Sequence, residues 1–355
     1  NVQGGSRGSS RQCIDVCMLL PMSGISLLHV ATLLSRSILI CVSDAVTPVP
    51  VMRREANVQG HVVSFAADGK VDSDSAAHLA APRNTTNASV PVLLFWSVSG
   101  NDKVQDLVKQ NVNHVRQHLK AADVFLAHYD LRKSAWLARN KAWYEKNVDF
   151  STEQKGLKFN LARQLLIDNG SFNTDHYRWI WTLDEDVDFL GMDLARMFGI
   201  AEFSKALIVL PAFKQPHRKV VYEVQQPDPD CQYRYVPFLE MIFPMFQAHV
   251  LKLFLSKCDH CFHNTSAWGS DKVMCHWSAR VTNTNRQTAC AIIDETPVLH
   301  RDFKTIGKYD KRDRKGAVWM DQAQRDLKEV DEYHHDDFIA SKQIRPLVQC
   351  VRRIS

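Results

Sequence analysis

The sequence predicts an α/β fold with a mainly parallel sheet and helices on both faces, and two observations lead to this prediction. From residue 91 onward, continuous apolar runs alternate with segments of helical periodicity, which is the pattern of strand–helix–strand units. One apolar run, residues 177–183, ends directly in the acidic stretch "DEDVD", residues 184–188. Because ligands of such sheets bind beyond the carboxyl ends of the strands, the acidic stretch marks the predicted binding site.

The strands and helices can be assigned in order along the chain. Continuous apolar runs predict buried strands at 90–100, 123–130, 177–183 and 205–213. Helical spacing of apolar residues predicts helices at 101–122 and 153–170, and Asn169-Gly170 closes the second helix. We therefore expect residues 91–310 to form one folded domain.

The segments on either side of this domain differ from it in composition. Residues 52–90 are rich in Ala, Ser, Asp, Asn and Val and have no clear period, so they predict a flexible stem. Residues 311–355 are charged and contain few large apolar side chains. We interpret this second segment as a peripheral tail.

The N-terminal part, residues 1–51, contains an apolar segment. Residues 16–34 include no formally charged side chain, and Arg7 and Arg11 precede them. A run of this length can cross the hydrocarbon core of a membrane as a helix, and the preceding arginines favour a signal anchor with a cytoplasmic N-terminus. A cleaved signal peptide and a buried helix are the alternatives.

The overall composition excludes one class of partner. The chain has 355 residues, of which 45% are hydrophobic and 23% are charged, which is an ordinary globular balance. The formal net charge is only +5, and Lys and Arg are interspersed with Asp and Glu. Nucleic-acid binding requires a basic surface, so we expect no nucleic-acid partner.

Glycosylation motifs and cysteines favour a lumenal location. Asn-x-Ser/Thr triplets begin at Asn84, Asn87, Asn169 and Asn264, and the chain contains nine cysteines. Both features are compatible with the oxidising secretory pathway. We therefore expect a single-pass protein of the Golgi or endoplasmic reticulum membrane with a lumenal domain, and secretion is the alternative.

The spacing of the cysteines also allows a zinc site. The stretch "CDHCFH", residues 258–263, is followed by Cys275-His276, and zinc binds such Cys and His groups in intracellular interaction proteins. The secretory features favour disulfides instead. Cys231, Cys275 and Cys290 are then the candidate partners of Cys258 and Cys261.

The acidic stretch has three possible interpretations. An EF-hand loop is excluded, because its sixth and twelfth positions require Gly and Glu and here hold Phe189 and Ala195. A solvated acidic turn remains open. In the third interpretation, Asp184 and Asp186 point to the same side of an extended segment and share a divalent cation, which also neutralises a diphosphate.

Four stretches of the sequence carry a resemblance to a known family. They are "IWTLDEDVDF" (180–189), "VPFLEMIFPMF" (236–246), "AWGSDKVMCHW" (267–277) and "ACAIIDETPVLHRDFKTIG" (289–307). The strand–helix–strand half that leads to Asp-x-Asp resembles the GT-A type of glycosyltransferase. More narrowly, the four stretches resemble an uncharacterised plant-abundant family labelled "lysine ketoglutarate reductase trans-splicing related". Residues 211–235 depart from that family's pattern.

The resemblance implies a donor site with a metal. Asp184, Asp186 and His300 would hold Mn²⁺ (or Mg²⁺), and the metal would bind the diphosphate of a nucleotide sugar. Imidazole, carboxylate and phosphate ligands suit Mn²⁺ better than Ca²⁺. For His300 the alternative is an ordinary loop or core histidine. Glu185 would face the donor ribose or would have a structural role.

The resemblance also implies an acceptor site for a glycan, a glycoconjugate or another hydroxyl compound. Trp268 would offer an aromatic face to a sugar ring, and Gly269 would allow close approach of the backbone. Asp271 would be the general base of an inverting transfer, or it would cap a helix. Glu240 would bind acceptor hydroxyls or pair with an arginine. A non-catalytic carbohydrate-binding module on the same fold is the alternative function.

Overall fold

The computed structural model describes residues 52–53, 90–216, 220, 223–258, 261–262, 270–303 and 349–352. All of them belong to a unit that spans Pro48–Ser355. The predicted membrane segment, most of the predicted stem and most of the predicted tail lie outside the described residues. None of the described helices combines the length and the apolar character needed to cross a membrane.

The first half of the unit alternates strands and helices. Its elements are β1 (Met52–Arg53), β2 (Val92–Val98), α1 (Asp102–His118), β3 (Ala122–His128), α2 (Lys133–Asn147), β4 (Phe150–Glu153), α3 (Lys158–Ala162) and β5 (Trp179–Leu183). A π-helical turn, Arg163–Asp168, extends α3, and a 3₁₀ turn, Thr174–His176, precedes β5.

The second half contains shorter strands and longer irregular connections. Its elements are β6 (Val187–Asp188), α4 (Leu194–Ser204), β7 (Ile208–Lys214), the 3₁₀ turn Glu223–Gln225, β8 (Cys231–Tyr235), β9 (Met245–Gln247), α5 (Ala248–Lys257), α6 (Ser270–Val281), β10 (Cys290–His300) and β11 (Gln349–Arg352).

Apolar burial explains why the central elements form. Every residue of β2 and β5 is buried, which accounts for their continuous apolar runs. Helix α1 begins at the Asn101 cap, whose side chain accepts from the Lys103 N–H, and it buries Val104, Val108 and Val115 on one face. Each fully buried valine contributes on the order of 1.5–3 kcal/mol relative to an exposed one.

The sheet is mixed, which corrects the prediction of a mainly parallel sheet. Its strand order is β1-β4-β3-β2-β5-β9-β7-β10-β8-β11, and β6 pairs with β10. Strand β2 is parallel to β3 and β5, β3 is parallel to β4, and β7 is parallel to β10, whereas the other pairs are antiparallel. An apolar run predicts that a strand exists, but the strand's direction depends on the neighbour with which it pairs.

The strand order places the predicted binding crevice beside β2. The chain runs from β2 to β3 and β4 on one side and then returns to β5 on the other side of β2. Ligands of such sheets bind where the strand order reverses, outside the carboxyl ends of the strands. That point lies here between the ends of β2 and β5, where Ser99 and Asp184 follow the two strands.

A C-terminal strand and one disulfide differ from the sequence-based expectations. Residues 349–352, which composition assigned to a tail, form β11, pair with β8 and are linked to it by the Cys231–Cys350 disulfide. Cys258 and Cys261 pair with each other, not with a more distant cysteine. The expected disulfide among the remaining cysteines of this region joins Cys275 to Cys290.

Candidate functional site

The acidic stretch turns sharply at the carboxyl end of β5. The Asp184 N–H donates to the Ile242 carbonyl at 3.1 Å, which continues the contact between β5 and the segment before β9. The Asp186 carbonyl accepts from the Arg301 N–H at 2.8 Å. These two backbone bonds tie the acidic stretch to two segments that are distant in sequence.

Asp186 and His300 lie in direct contact. The distance from Asp186 Oδ2 to His300 Nε2 is 3.2 Å, and both side chains are largely buried. Burial by itself raises the pKa of Asp186, but His300 and the Phe303 N–H, which donates to Oδ2 at 3.1 Å, lower it below its usual value. Burial also lowers the pKa of His300, but Asp186 outweighs this effect and raises it.

The path of β10 brings His300 to this position. Near its end, β10 pairs with the two-residue strand β6, and His300 lies opposite Val187. The imidazole packs edge-on against the Phe213 ring, with 6.0 Å between ring centroids, and Gln215 Nε2 lies 2.8 Å from Nδ1. The ring is therefore held on two sides and presents Nε2 to Asp186.

Asp186 and His300 are the two residues that could supply ligands to a small divalent cation. Ligands at 2.0–2.1 Å from one octahedral ion are separated by about 3 Å, which matches the contact of 3.2 Å. The Gln215 Oε1 atom is buried and has no hydrogen-bond partner among the described residues. If the amide turns over, Oε1 accepts from Nδ1–H of His300, which leaves Nε2 as the metal-binding nitrogen.

Asp184 has a different partner. Its Oδ1 atom lies 2.8 Å from Nζ of Lys158, the first residue of α3. The Lys158 side chain is only 8% exposed, whereas the Asp184 side chain is 39% exposed. Burial lowers the pKa of Lys158, and Asp184 opposes that shift. Nowhere in the described part of the chain do three or more His, Cys, Asp or Glu side chains form a group that could hold a metal.

Glu185 joins two strand ends. Its carboxylate accepts from the Ser99 N–H at 2.5 Å and from the Tyr129 hydroxyl at 2.8 Å. The residue is 5% exposed, and each of its oxygens has one of these donors. This geometry favours the structural role over a direct contact with a ribose, because Glu185 fixes the ends of β2 and β3 at the crevice.

Asp188 is paired with an arginine outside the cluster. Its Oδ2 accepts from Nε of Arg301 at 2.9 Å and from Nη2 of the same side chain, and its Oδ1 accepts from the Leu190 N–H at 3.1 Å. The pair connects β6 to the residue that follows His300. Each carboxylate of the acidic stretch thus has its own protein partner.

The loop after β2 lies at the predicted crevice and packs closely against α2. The Gly100 N–H donates to Asp130 Oδ2 at 2.8 Å. A Cβ atom at Gly100 would lie 2.6 Å from Cβ of Arg132, so only glycine permits this close approach. Trp136 donates its ring N–H to the Ser99 carbonyl at 2.9 Å, which holds α2 against the loop.

The predicted acceptor residues lie on other elements. Glu240 is half-buried in the segment before β9, two residues from Ile242, which contacts Asp184. Asp271 is half-buried in the first turn of α6, where a carboxylate interacts favourably with the helix dipole. Trp268 and Gly269 lie outside the described residues.

Four residues that shape the site were not predicted from the sequence, namely Lys158, Tyr129, Gln215 and Arg301. Lys158 is the first residue of a helix that the sequence did predict. Its position among apolar residues was the sequence signal that could have identified it. Arg301 directly follows the predicted ligand His300. For Tyr129 and Gln215 no sequence signal was available, because each acts through a contact between distant segments.

Several solved structures are similar to this chain at low identity. TarS of S. aureus, residues 1–349, has 7% identity and a TM-score of 0.39 over 62% of this chain and 63% of that chain. The structure of its complex with UDP-GlcNAc has 9% identity and a TM-score of 0.38, over 60% of this chain and 59% of that chain. The mannosyltransferase PcManGT from Pyrobaculum calidifontis, in complex with GDP-Man and Mn²⁺, has 12% identity and a TM-score of 0.42. The match covers 73% of this chain and 74% of that chain.

These similarities are too distant to carry an argument about function. The match spans less than two thirds of the TarS chain. No protein-family model matches the sequence, and no curated protein matches it. The resemblance to the plant-abundant family therefore rests on the four sequence stretches, and the functional argument rests on the site.

Proposed function

We propose that residues 91–303 form a glycosyl-transfer domain. It would bind a nucleoside-diphosphate sugar in the crevice between β2 and β5 and transfer the sugar to a hydroxyl acceptor. The observation that carries the proposal is the contact of 3.2 Å between Asp186 Oδ2 and His300 Nε2 at the carboxyl edge of the sheet. A carboxylate, an imidazole and the donor's phosphate oxygens together suit Mn²⁺ or Mg²⁺.

The reaction requires one bond to form and one to break. The acceptor hydroxyl oxygen forms a bond to C1 of the sugar, and the bond from C1 to the diphosphate oxygen breaks with its electron pair on the diphosphate. A bound divalent cation would offset the charge that develops on this leaving group. The hydroxyl proton would pass to Asp271 if the transfer inverts the configuration at C1. Glu240 would orient the acceptor from the segment beside Asp184.

The central experiment measures metal and donor binding separately. Asp186→Asn and His300→Asn retain the shape of the site but remove a ligand, so Mn²⁺ binding to the free protein should be lost in calorimetry. UDP-GlcNAc and GDP-Man are the first donor probes, and their Mn²⁺-dependent thermal stabilisation should disappear. Nucleotide release should fall about 10²–10³-fold, because one electrostatic stabiliser is removed.

The matched control is Asp175→Asn, which alters an exposed carboxylate paired with Lys252. It should bind Mn²⁺ and donor as the parent does. Asp271→Asn should bind both normally and lose transfer. If Asp186→Asn and His300→Asn keep the parent's Mn²⁺ and donor affinities, the proposed metal site is wrong.

A second candidate function is a non-catalytic carbohydrate-binding module. It is favoured by one observation, which is that Asp184 is already paired with Lys158 at 2.8 Å instead of lying open for a metal. Such a module should bind glycans without Mn²⁺ and should release no nucleotide from any donor. A zinc site at the cysteines is not supported, because Cys258, Cys261 and Cys275 are all disulfide-bonded.

A further inference from the structure

Lys158 is a charged side chain with three oxygen acceptors inside the fold. Its Nζ atom contacts Asp184 Oδ1 at 2.8 Å, the Met241 carbonyl at 2.6 Å and the Ile242 carbonyl. A lysine ammonium has three N–H donors, whereas the neutral amine has two. The three contacts match the three donors of the ammonium, and Asp184 is its counter-ion.

Lys158 balances the charge of Asp184 without an added ion. Asp184 is paired with Lys158, and Asp186 is paired with His300. Asp184 also lies within electrostatic range of Asp186 and His300. A divalent cation near Asp184 would be repelled by an ammonium that is held in place by two backbone carbonyls.

We infer that Lys158 is a resident internal cation that withholds Asp184 from metal binding, so that Asp186 and His300 alone hold a divalent ion in the free protein. The inference rests on the proposed function, because it concerns the same site. Lys158 is a positioning residue in this view, since it acts through Asp184 and does not touch the reacting atoms.

The same lysine connects the two sides of the site. It lies on α3, pairs with the donor-side carboxylate Asp184, and holds the carbonyls of Met241 and Ile242 in the segment that carries Glu240. A buried charge of this kind is costly unless every donor is satisfied. Removing it should therefore change both the charge at Asp184 and the position of the Glu240 segment.

The inference makes an unusual prediction for binding of Mn²⁺ alone. Lys158→Met removes the internal cation and frees Asp184, so the Mn²⁺ dissociation constant should fall about tenfold or more. Lys158→Arg retains the charge and should stay within about threefold of the parent. Asp184→Asn should also stay within about threefold, whereas Asp186→Asn should lose binding.

Two further proteins make the measurement specific. The double variant Lys158→Met/Asp184→Asn should return to the parent's Mn²⁺ affinity, because the freed ligand is gone. Lys252→Met breaks an exposed pair with Asp175 and should change nothing. Circular dichroism and thermal unfolding confirm which variants are folded, and the comparison of Asp184→Asn with Asp186→Asn decides the question if Lys158→Met does not fold.

The outcomes separate this inference from the proposed function. If the parent binds Mn²⁺ through Asp186 but Lys158→Met binds it equally or more weakly, the inference is wrong and the metal site stands. It is also wrong if Asp184→Asn loses Mn²⁺ as completely as Asp186→Asn does. If Lys158→Met binds Mn²⁺ and the parent does not, Asp186 and His300 alone hold no ion, so the inference as stated and the proposed metal site are both wrong. If neither binds, both ideas fail.

Discussion

Single residues in this protein show how a cluster of four acidic side chains becomes stable at the end of a buried strand. Asp184 pairs with Lys158, Asp186 pairs with His300, and Asp188 pairs with Arg301. Glu185 accepts from a backbone N–H and a tyrosine hydroxyl. Each of the four carboxylates therefore accepts from, or pairs with, at least one group of its own in the fold.

His128 is a buried histidine beside the crevice that should make the fold sensitive to acid. It is fully buried at the end of β3, its Nε2 lies 2.7 Å from the Tyr144 hydroxyl, and its ring meets Trp136 edge-on. Burial, and then the charge of Lys133, lower its pKa from 6.5 to about 3. The folded protein therefore keeps this imidazole neutral where the unfolded chain takes up a proton.

The sign of the pH effect follows from linkage. The contribution of His128 to stability is complete above pH 6.5 and is lost as the pH falls towards 3, at about 1.4 kcal/mol per pH unit. In urea unfolding, the stability difference between the parent and His128→Asn should shrink by about 2 kcal/mol from pH 7 to pH 5. The same substitution at the exposed His118 is the control. A difference that does not change with pH would contradict the assigned pKa.

At the scale of elements, an irregularity in β10 sets the position of His300. The pairing of β10 with β7 shifts register between Ile293 and Val298 and then resumes, so that the strand reaches His300 beside β6. Asp294, inside the irregular stretch, accepts from Nε and Nη2 of Arg234 on β8 at 2.8 Å each. The Arg234–Asp294 pair is almost completely buried.

Breaking this pair should destabilise the fold and the site together. Arg234→Met leaves the Asp294 carboxylate buried without its charge partner, which should cost about 3–5 kcal/mol of unfolding free energy. The double variant Arg234→Met/Asp294→Leu should recover most of that loss, because no charge remains. Arg139→Met, at an exposed site with two acidic neighbours, is the control. Chemical unfolding that shows equal stability for Arg234→Met and the parent would rule out this role.

At the scale of the whole molecule, covalent links and sheet pairing close the second half of the domain. The Cys231–Cys350 disulfide spans 119 residues and joins β11 to β8, and two further disulfides lie at 258–261 and 275–290. Structural disulfides are typical of oxidising compartments. This favours the proposal of a lumenal domain, and the predicted membrane segment lies outside the described residues.

Expression in a secretory host tests the proposal of a lumenal domain. Asn169 lies at the end of the α3 extension, where Gly170 and Ser171 are exposed, and we expect it to carry a glycan together with some of Asn84, Asn87 and Asn264. Treatment with an amide-cleaving glycosidase should lower the mass of the protein. Asn169→Gln should reduce that mass difference by the mass of one glycan. Non-reducing peptide mapping should recover the three disulfides. A protein without any mass shift and with free thiols would speak against the lumenal proposal.

The sequence by itself determined the features that depend on neighbouring residues. Continuous apolar runs identified β2, β3, β5 and β7, and helical spacing identified α1, because burial and backbone propensity act locally. The position of the acidic stretch after β5 was also readable, since a change from apolar to acidic residues marks the end of a buried strand.

Only the tertiary structure decided which residues meet across the fold. The direction of β9, the pairing of Cys258 with Cys261 and the contact of His300 with Asp186 depend on strand order and register. The partner of Asp184 shows the limit most clearly. From the sequence, a solvated acidic turn and a bound cation both remained open, and the path of α3 determined that Lys158 lies beside Asp184.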